Sequence, residues 1–403
     1  MELRPILSAL MRSKVALVLI GLQIALTLAI VCNALFIVQQ RFDKMGRPSG
    51  MNEVDTFSVT SLGFGTNFDA KIVLDEDLAL IRGLPGVAEA SPINSLPLSQ
   101  GGWSTGISLK PGQKTSTAPT AIYMVDEHGI DSLGAKLIAG RNFRPDEIAY
   151  REFRSREWEP GAIITKALAE KLWPGDGAVG KQLYLDEEAA PQTVIGVIDV
   201  LQAPWTNSDF LESSTLVPQK RPYGNMTRYA VRAEPGRRDE VMKLVEAKMQ
   251  ASNTSRIVRN LRSTEEVRRT SYQEDRAMTI ILAGVIFSLL TITALGIVGM
   301  ASFWVTQRIK QIGTRRALGA TRGDILRYFL TENFLITSLG LGLGVALTYV
   351  LNYWLIAQSQ AQRLPPIYVA IGIGVLWLLG QLAVLGPATR ASRVPPAVAT
   401  RSV

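Results

Sequence analysis

The chain loses its charged residues over Val15–Val38, 24 positions bounded by Arg12 and Lys14 on one side and Arg41 on the other. As a helix this run reaches about 36 Å, enough for a hydrocarbon core of about 30 Å. It is too long for the apolar region of a cleaved signal peptide, which runs to about 15 residues. Three more apolar runs, Ala277–Thr306, Ile325–Ala357 and Ile367–Leu385, come near the other end. The pattern predicts four membrane-spanning helices at 15–38, 277–306, 325–357 and 367–386, with both termini on one side.

Between the first and second runs, residues 39–276 alternate strand-like and helical patterns. Asp55–Thr60 and Val87–Leu98 read as extended chain, and Asp75–Arg82 as a short helix with an acidic first turn. The order returns downstream with Arg228–Arg232, a helix over Arg238–Gln250, and Arg256–Leu261. Two βαβ-like halves separated by an insertion at about 99–223 suggest a split α/β domain carrying a second lobe. The insertion has its own helix at Lys166–Trp173 and a strand at Thr193–Val200. Residues 260–276 are polar nearly all round and are expected to continue the second span outward as a helical stalk. The expected fold class is an α-helical four-span membrane domain plus a large α/β (α+β) extracytoplasmic domain of two lobes.

Charge sets the orientation. The loop at 307–324 carries Arg308, Lys310, Arg315, Arg316 and Arg322, whereas the loop at 358–366 carries only Arg363. Basic residues in short loops stay inside. The first loop is therefore predicted to be cytoplasmic and the second external, with cytoplasmic ends at 1–14 (Arg4, Arg12, Lys14) and 387–403 (Arg390, Arg393, Arg401). The whole chain is +8, but residues 39–276 hold 30 of its 43 basic and 32 of its 35 acidic residues, a net of −2. The membrane part alone is thus +10. That argues against nucleic acid as a partner, because such a partner needs basic charge on the folded domain.

Catalytic chemistry finds no footing. One cysteine (Cys32) and one histidine (His128) exclude a disulfide within the chain and a zinc site built from several Cys or His. His128 reads as a turn residue. Gly175-Asp176-Gly177 and Gly180-Lys181 lack the spacing and the following Ser or Thr of a phosphate loop. No catalytic residue and no metal site is expected. Gly340 and Gly344 form a GxxxG suited to close helix packing in a dimer, and Glu332 is an intramembrane carboxylate or an interfacial one beside Arg327. Gln23 and Asn33 have the chemistry to bond across a helix interface.

The most specific stretch is Gln307–Ala320, basic, partly helical and tied at both ends to spans. Ile312, Gly313, Arg315, Arg316, Leu318, Gly319 and Ala320, followed by Phe329-Leu330-Thr331-Glu332 and the tail Pro387–Pro396, resemble the MacB, LolC and FtsX superfamily of ABC transporter permeases. In the soluble part Leu84–Val87, Ala139–Phe143, Gly180-Lys181 and Ile195–Val197 resemble its extracytoplasmic domain. Gln311 departs from the pattern, which usually has Glu there.

The resemblance implies a bacterial inner-membrane, multi-pass permease paired with a second permease, identical or homologous. Two copies of an ABC ATPase subunit would bind ATP and Mg and dock on Gln311–Ala320. No cofactor is expected in this chain. Only 14 residues precede Val15, so the ATPase is expected on a separate polypeptide. The scheme leaves room for a periplasmic adaptor or outer-membrane protein and for contact with membrane lipid. Export or release of a peptide, an antibiotic-like molecule or a lipid-linked substrate is the leading expectation. An FtsX-like signalling permease controlling an extracytoplasmic hydrolase, a lipoprotein-release permease, and an anchored receptor without an ATPase are the alternatives.

Overall fold

A computed structural model of the protein describes residues 14–152, 155, 157–186, 190–359 and 362–395. Arg4, Arg12, Arg401 and the end of the expected tail lie outside the described residues, as does part of the 358–366 loop. The chain divides into two compact units, one of residues 47–274 and one formed by residues up to 46 together with those from 275 onward.

In chain order, helix α1 is Lys14–Met45. The soluble unit then runs through β1 (Thr56–Gly63), α2 (Ala70–Arg82), β2 (Val87–Pro92), β3 (Trp103–Ile107), β4 (Ala118–Val125), α3 (Gly129–Leu133) and β5 (Leu137–Gly140). It continues with β6 (Ala149–Tyr150), β7 (Gly161–Thr165), α4 (Lys166–Leu172), β8 (Gln182–Leu183), β9 (Gln192–Ile198), β10 (Ser214–Lys220) and β11 (Met226–Ala233). Helix α5 (Arg238–Ser252), β12 (Arg256–Ser263) and α6 (Thr264–Ser271) complete it. The membrane part resumes with α7 (Gln273–Gln307), α8 (Ile309–Ala317), α9 (Arg322–Ser359) and α10 (Pro366–Ser392). Helices α1, α7, α9 and α10 are long and apolar enough to cross a membrane.

The first lobe is a four-stranded sheet in the order β12-β1-β11-β2, in which β11 runs antiparallel to both β1 and β2. The two βαβ halves are therefore interleaved, the split βαβ arrangement. Helices α2 and α5 cover one face, burying Phe57, Val59, Leu74, Leu78, Ile81, Tyr229, Val241 and Val245. Asp69 caps α2, accepting from the amides of Lys71 (2.9 Å) and Ile72 (3.2 Å). That cap starts the helix five residues before the expected Asp75 and leaves no acidic residue in its first turn.

The inserted lobe is a mixed sheet, β3-β4-β10-β7-β9-β5, with β6 on β10 and β8 on β9. Both faces are buried, so neighbours along one strand enter different cores. Tyr123, Ile163 and Leu216 pack on one side, and Ile122, Ile164 and Val217 on the other.

The expected continuous stalk is not formed. Residues 260–263 finish β12, and Ser263 then caps α6 by accepting from the Glu266 amide at 3.1 Å. Tyr272, at φ −102° and ψ 17°, separates α6 from α7. The polar composition that suggested one exposed helix comes instead from an edge strand and a single short helix.

Candidate functional site

The segment between the second and third spans is built by local caps. Helix α7 ends at Gln307, Arg308 leaves helical geometry, and α8 ends at Leu318. Gly319 at φ +100° supplies the left-handed residue that turns the chain, a conformation glycine adopts without steric cost. Thr321 and Asp324 then cap α9 reciprocally. The Asp324 carboxylate accepts from the Thr321 amide at 2.9 Å, and the Thr321 hydroxyl accepts from the Asp324 amide at 3.2 Å.

The predicted docking residues fall into two sets. Ile312 and Gly313 are buried, Gln311, Arg315, Leu318 and Gly319 are exposed, and Arg316 and Ala320 are half-buried. Leu318 is 83% exposed, a large apolar side chain standing out of a basic surface. The Arg315 guanidinium lies 4.7 Å from the ring centroid of Tyr328 on α9. Arg316 donates to the Ala320 carbonyl at 3.4 Å. A small, shallow hollow beside the segment is lined by Arg308, Gln311, Ile312, Arg315, Ile325, Tyr328 and Phe329.

Arg308 anchors this element. Its Nη1 donates to both carboxylate oxygens of Glu332, at 2.8 and 2.9 Å, and Glu332 is 1% exposed. The partner of Glu332 is thus Arg308 and not Arg327. A buried carboxylate needs such a partner because an unpaired charge in a low-dielectric interior is costly. Sequence reading assigned Arg308 only to orientation. The two residues lie 24 positions apart, one between α7 and α8 and the other on α9, and no local pattern signals the pair.

At the other end of α7, Asp275 is held by two cations of α1, Arg41 at 2.5 Å and Lys44 at 2.6 Å. Between the two ends, Gln23 donates to the Ile292 carbonyl at 3.1 Å, and the hydroxyls of Thr27 and Thr293 are 2.8 Å apart. Only 11% of the apolar window of α7 is buried, against 56% for α1, so α7 packs less of its length against the bundle than α1 does. Asn33 bonds to the Thr348 carbonyl at 3.2 Å and accepts from Asn352 at 3.2 Å. Gln23 and Asn33 therefore join helices of one chain. Gly340 and Gly344 likewise pack on α1. A Cβ at Gly340 would stand 3.0 Å from the Gly21 carbonyl oxygen, and one at Gly344 3.0 Å from the Ala25 Cα.

In the soluble unit the family-like motifs serve architecture. Gly140, at φ +74°, lies against Ile195 and Gly196, where a Cβ would stand 2.2 Å from the Ile195 carbonyl oxygen. Arg141 grips Glu147 at 2.8 and 2.6 Å, and that guanidinium holds the Glu147 carboxyl down at about 2. His128 is half-buried, its Nδ1 3.0 Å from Glu89. Lys181 pairs with Asp176 in the glycine-containing turn. An open cleft of about 720 Å³ runs past residues 66–71, Glu152 and Gly224. Among the described residues no three His, Cys, Asp or Glu side chains are grouped to hold a metal.

Four long apolar helices, a short basic element clamped to two of them and a two-lobed α/β domain define a multi-pass membrane protein of the permease type. Comparison with known families matches residues 15–248 to the MacB-like periplasmic core domain and residues 283–396 to the FtsX-like permease C-terminal domain. The chain belongs to the MacB/FtsX-like family of ABC transporter permeases, and its extramembrane domain is periplasmic.

Among similar proteins, the macrolide export ATP-binding/permease protein MacB of Chromobacterium violaceum is 28% identical over 275 residues, covering 65% of this chain and 40% of that protein. MacB of Neisseria gonorrhoeae is 24% identical over 361 residues, 86% of this chain and 52% of the relative. The chain thus spans about half or less of the length of these relatives. Among solved structures, the extracellular domain of the noncanonic ABC-type transporter YknZ from Gram-positive bacteria aligns with 16% identity and a TM-score of 0.32, over 50% of this chain and 100% of that one. The periplasmic region of MacB from Actinobacillus actinomycetemcomitans aligns with 13% identity and a TM-score of 0.32, over 57% and 97%.

Proposed function

We propose that this chain is the membrane subunit of an ABC complex in which an ATPase binds ATP and Mg, docks on Gln311–Ala320 and moves the periplasmic domain through the spans. One observation carries the reading. The exposed basic face of α8 is fixed to α9 at its start, where one guanidinium nitrogen of Arg308 meets both carboxylate oxygens of Glu332, so force applied at Gln311, Arg315 or Leu318 passes into two spans at once. In this reading the 307–324 segment and both termini face the cytoplasm, as the placement of Lys and Arg favours. Two ATPase copies serve a pair of permeases, and an adaptor or outer-membrane protein meets the periplasmic domain. The matched relatives are named for macrolide export, which makes an antibiotic-like molecule the first substrate class to test, ahead of peptides and lipid-linked molecules.

Co-purification tests this. The full chain in lipid nanodiscs should retain an ABC ATPase subunit from its native membrane. Arg315→Glu with Arg316→Glu should release that subunit, while Arg363→Glu in the 358–366 loop should not. Failure of any ATPase to associate, or equal retention by all variants, would sink the proposal.

A further inference from the structure

Close to the Arg308–Glu332 pair, the bundle of spans contains a small hollow, about 20 Å³ open to the centre of a water-sized sphere, to which all four helices contribute. Ile20 comes from α1, Met300 and Trp304 from α7, Glu332 and Asn333 from α9, and Val384 from α10. Its walls are mostly apolar, yet two of its side chains bring hydrogen-bond donors without a partner, the Trp304 indole Nε1 and the Asn333 amide Nδ2. Both residues are more than nine-tenths buried, at 5% and 8% exposed.

The pattern extends along α9 and α10. Thr337 is fully buried with its hydroxyl unpartnered, and the Gln381 amide nitrogen is buried without a partner. Thr337 Oγ1 and Asn333 Nδ2 stand 3.2 and 3.3 Å from the point a Cβ on Gly380 would occupy, so these groups form one patch against a glycine. Buried polar atoms are nearly always hydrogen-bonded, and in a bilayer an unmet donor costs more than in a soluble core because no bulk water is near. Three such atoms close together, Trp304 Nε1, Asn333 Nδ2 and Thr337 Oγ1, two of them N–H donors, call for a small acceptor that also donates back.

We propose that this hollow is a water site, holding an ordered water molecule between Trp304 and Asn333 beside the Glu332 carboxylate. Water alone has the size for so confined a space and the mixed donor and acceptor capacity to meet N–H, O–H and carboxylate groups together. An acyl chain is too large for the space and would leave every donor unmet. The consequence is local: the buried ion pair that anchors the coupling segment is partly hydrated. The pair can then loosen and re-form as the helices shift, without stranding a bare charge in hydrocarbon. The inference concerns the bundle alone and holds whichever partner docks on α8.

Hydroxyl-radical footprinting of the full chain in lipid nanodiscs, in water enriched in oxygen-18, tests it, since side chains touching ordered water are labelled even when buried. Trp304 and Met300 should take up the heavy oxygen several-fold faster than Phe287 and Phe303, which are exposed on the surface of the same helix. Asn333→Leu combined with Thr337→Val should abolish most of the Trp304 labelling. Labelling of wild-type Trp304 no faster than Phe287 would overturn the proposal, and this comparison stands even if the double variant fails to fold. Protection of Trp304 and Met300 that is lifted only by delipidation would assign the hollow to an acyl chain and likewise overturn it.

Discussion

Ser271, the last residue of the helix before the second span, donates its hydroxyl to the carbonyl of Leu98, whose backbone is left-handed at φ +66°. Gln100, two residues on, is also left-handed at φ +61°, and neither residue is a glycine. Such geometry costs about 1–3 kcal/mol per residue and persists only where surrounding bonds impose it. Here the bonds are Leu98 amide to Ala203 carbonyl (3.4 Å) and Gln100 amide to Pro204 carbonyl (2.9 Å), together with Ser271. The loop that opens the inserted lobe is therefore tied to the helix that leads to the membrane.

Ser271→Ala should cost about 1 kcal/mol and speed hydrogen exchange at the Leu98 and Gln100 amides. Gln100→Gly should relieve strain of similar size and offset the loss of the Gln100 bond to Thr206, leaving the melting temperature nearly unchanged. Hydrogen exchange on the full chain checks both. Unchanged exchange in Ser271→Ala would show that the bond does not hold the loop.

A pH prediction comes from Glu147. Arg141 holds its folded carboxyl at about 2, below the ordinary value of 4.5. A depressed carboxyl contributes stability above its unfolded value and loses it as pH falls, so the contribution is full above about pH 4.5 and fades toward pH 2. Because Arg141 is 44% exposed, solvent screening reduces the value to about 1 kcal/mol. Glu147→Gln should lower stability by that amount at neutral pH and flatten the decline between pH 4.5 and 2. Melting curves across that range are the check.

Long-period features were legible in the sequence, and pairings were not. Four apolar runs and two βαβ patterns declare themselves because hydrophobic periodicity is local. The Asn260–Arg276 segment misled because a polar edge strand and a polar helix share a composition, and only the Ser263 cap separates them. Of the residues between the second and third spans, Ile312–Ala320 stood out by motif. Arg308 there and Asp275 at the far end of α7 did not, since each matters through a partner on another helix. The GxxxG was visible as a pattern, but which helix it receives is decided by three-dimensional packing against Gly21 and Ala25.

That packing predicts a contrast within one helix. At Gly340 and Gly344 a side chain would meet α1 at 3.0 Å, while at Gly342 nothing lies within 4 Å. Gly344→Leu should destabilise the bundle by about 3 kcal/mol or more, as overpacking against backbone forces helices apart. Gly342→Leu should be close to neutral. Thermal unfolding of both variants in the same nanodiscs decides it, and equal melting temperatures would refute the α1–α9 contact.

The last prediction concerns how α7 is held. Its outer end is bonded to α1 through Asp275, and its inner end leads to Arg308 and so to α9, with little apolar burial between. Removing one member of a buried pair strands the other and typically costs about 3–5 kcal/mol, whereas replacing both by apolar residues is often tolerated. Glu332→Gln should therefore destabilise strongly, and Arg308→Met with Glu332→Met should recover most of the loss. Asp275→Asn leaves Arg41 and Lys44 facing each other, and should loosen the outer ends of α1 and α7. Charge inversion, Asp275→Lys with Arg41→Glu and Lys44→Glu, should draw them together again. Spin-label distances between Phe42 and Met278 positions, in a Cys32→Ala background, report this directly. If the distance is the same in wild type and Asp275→Asn, the outer clamp does not hold the helices. If it widens and inversion restores it, charge at Asp275 rather than side-chain shape fixes the outer end of the second span.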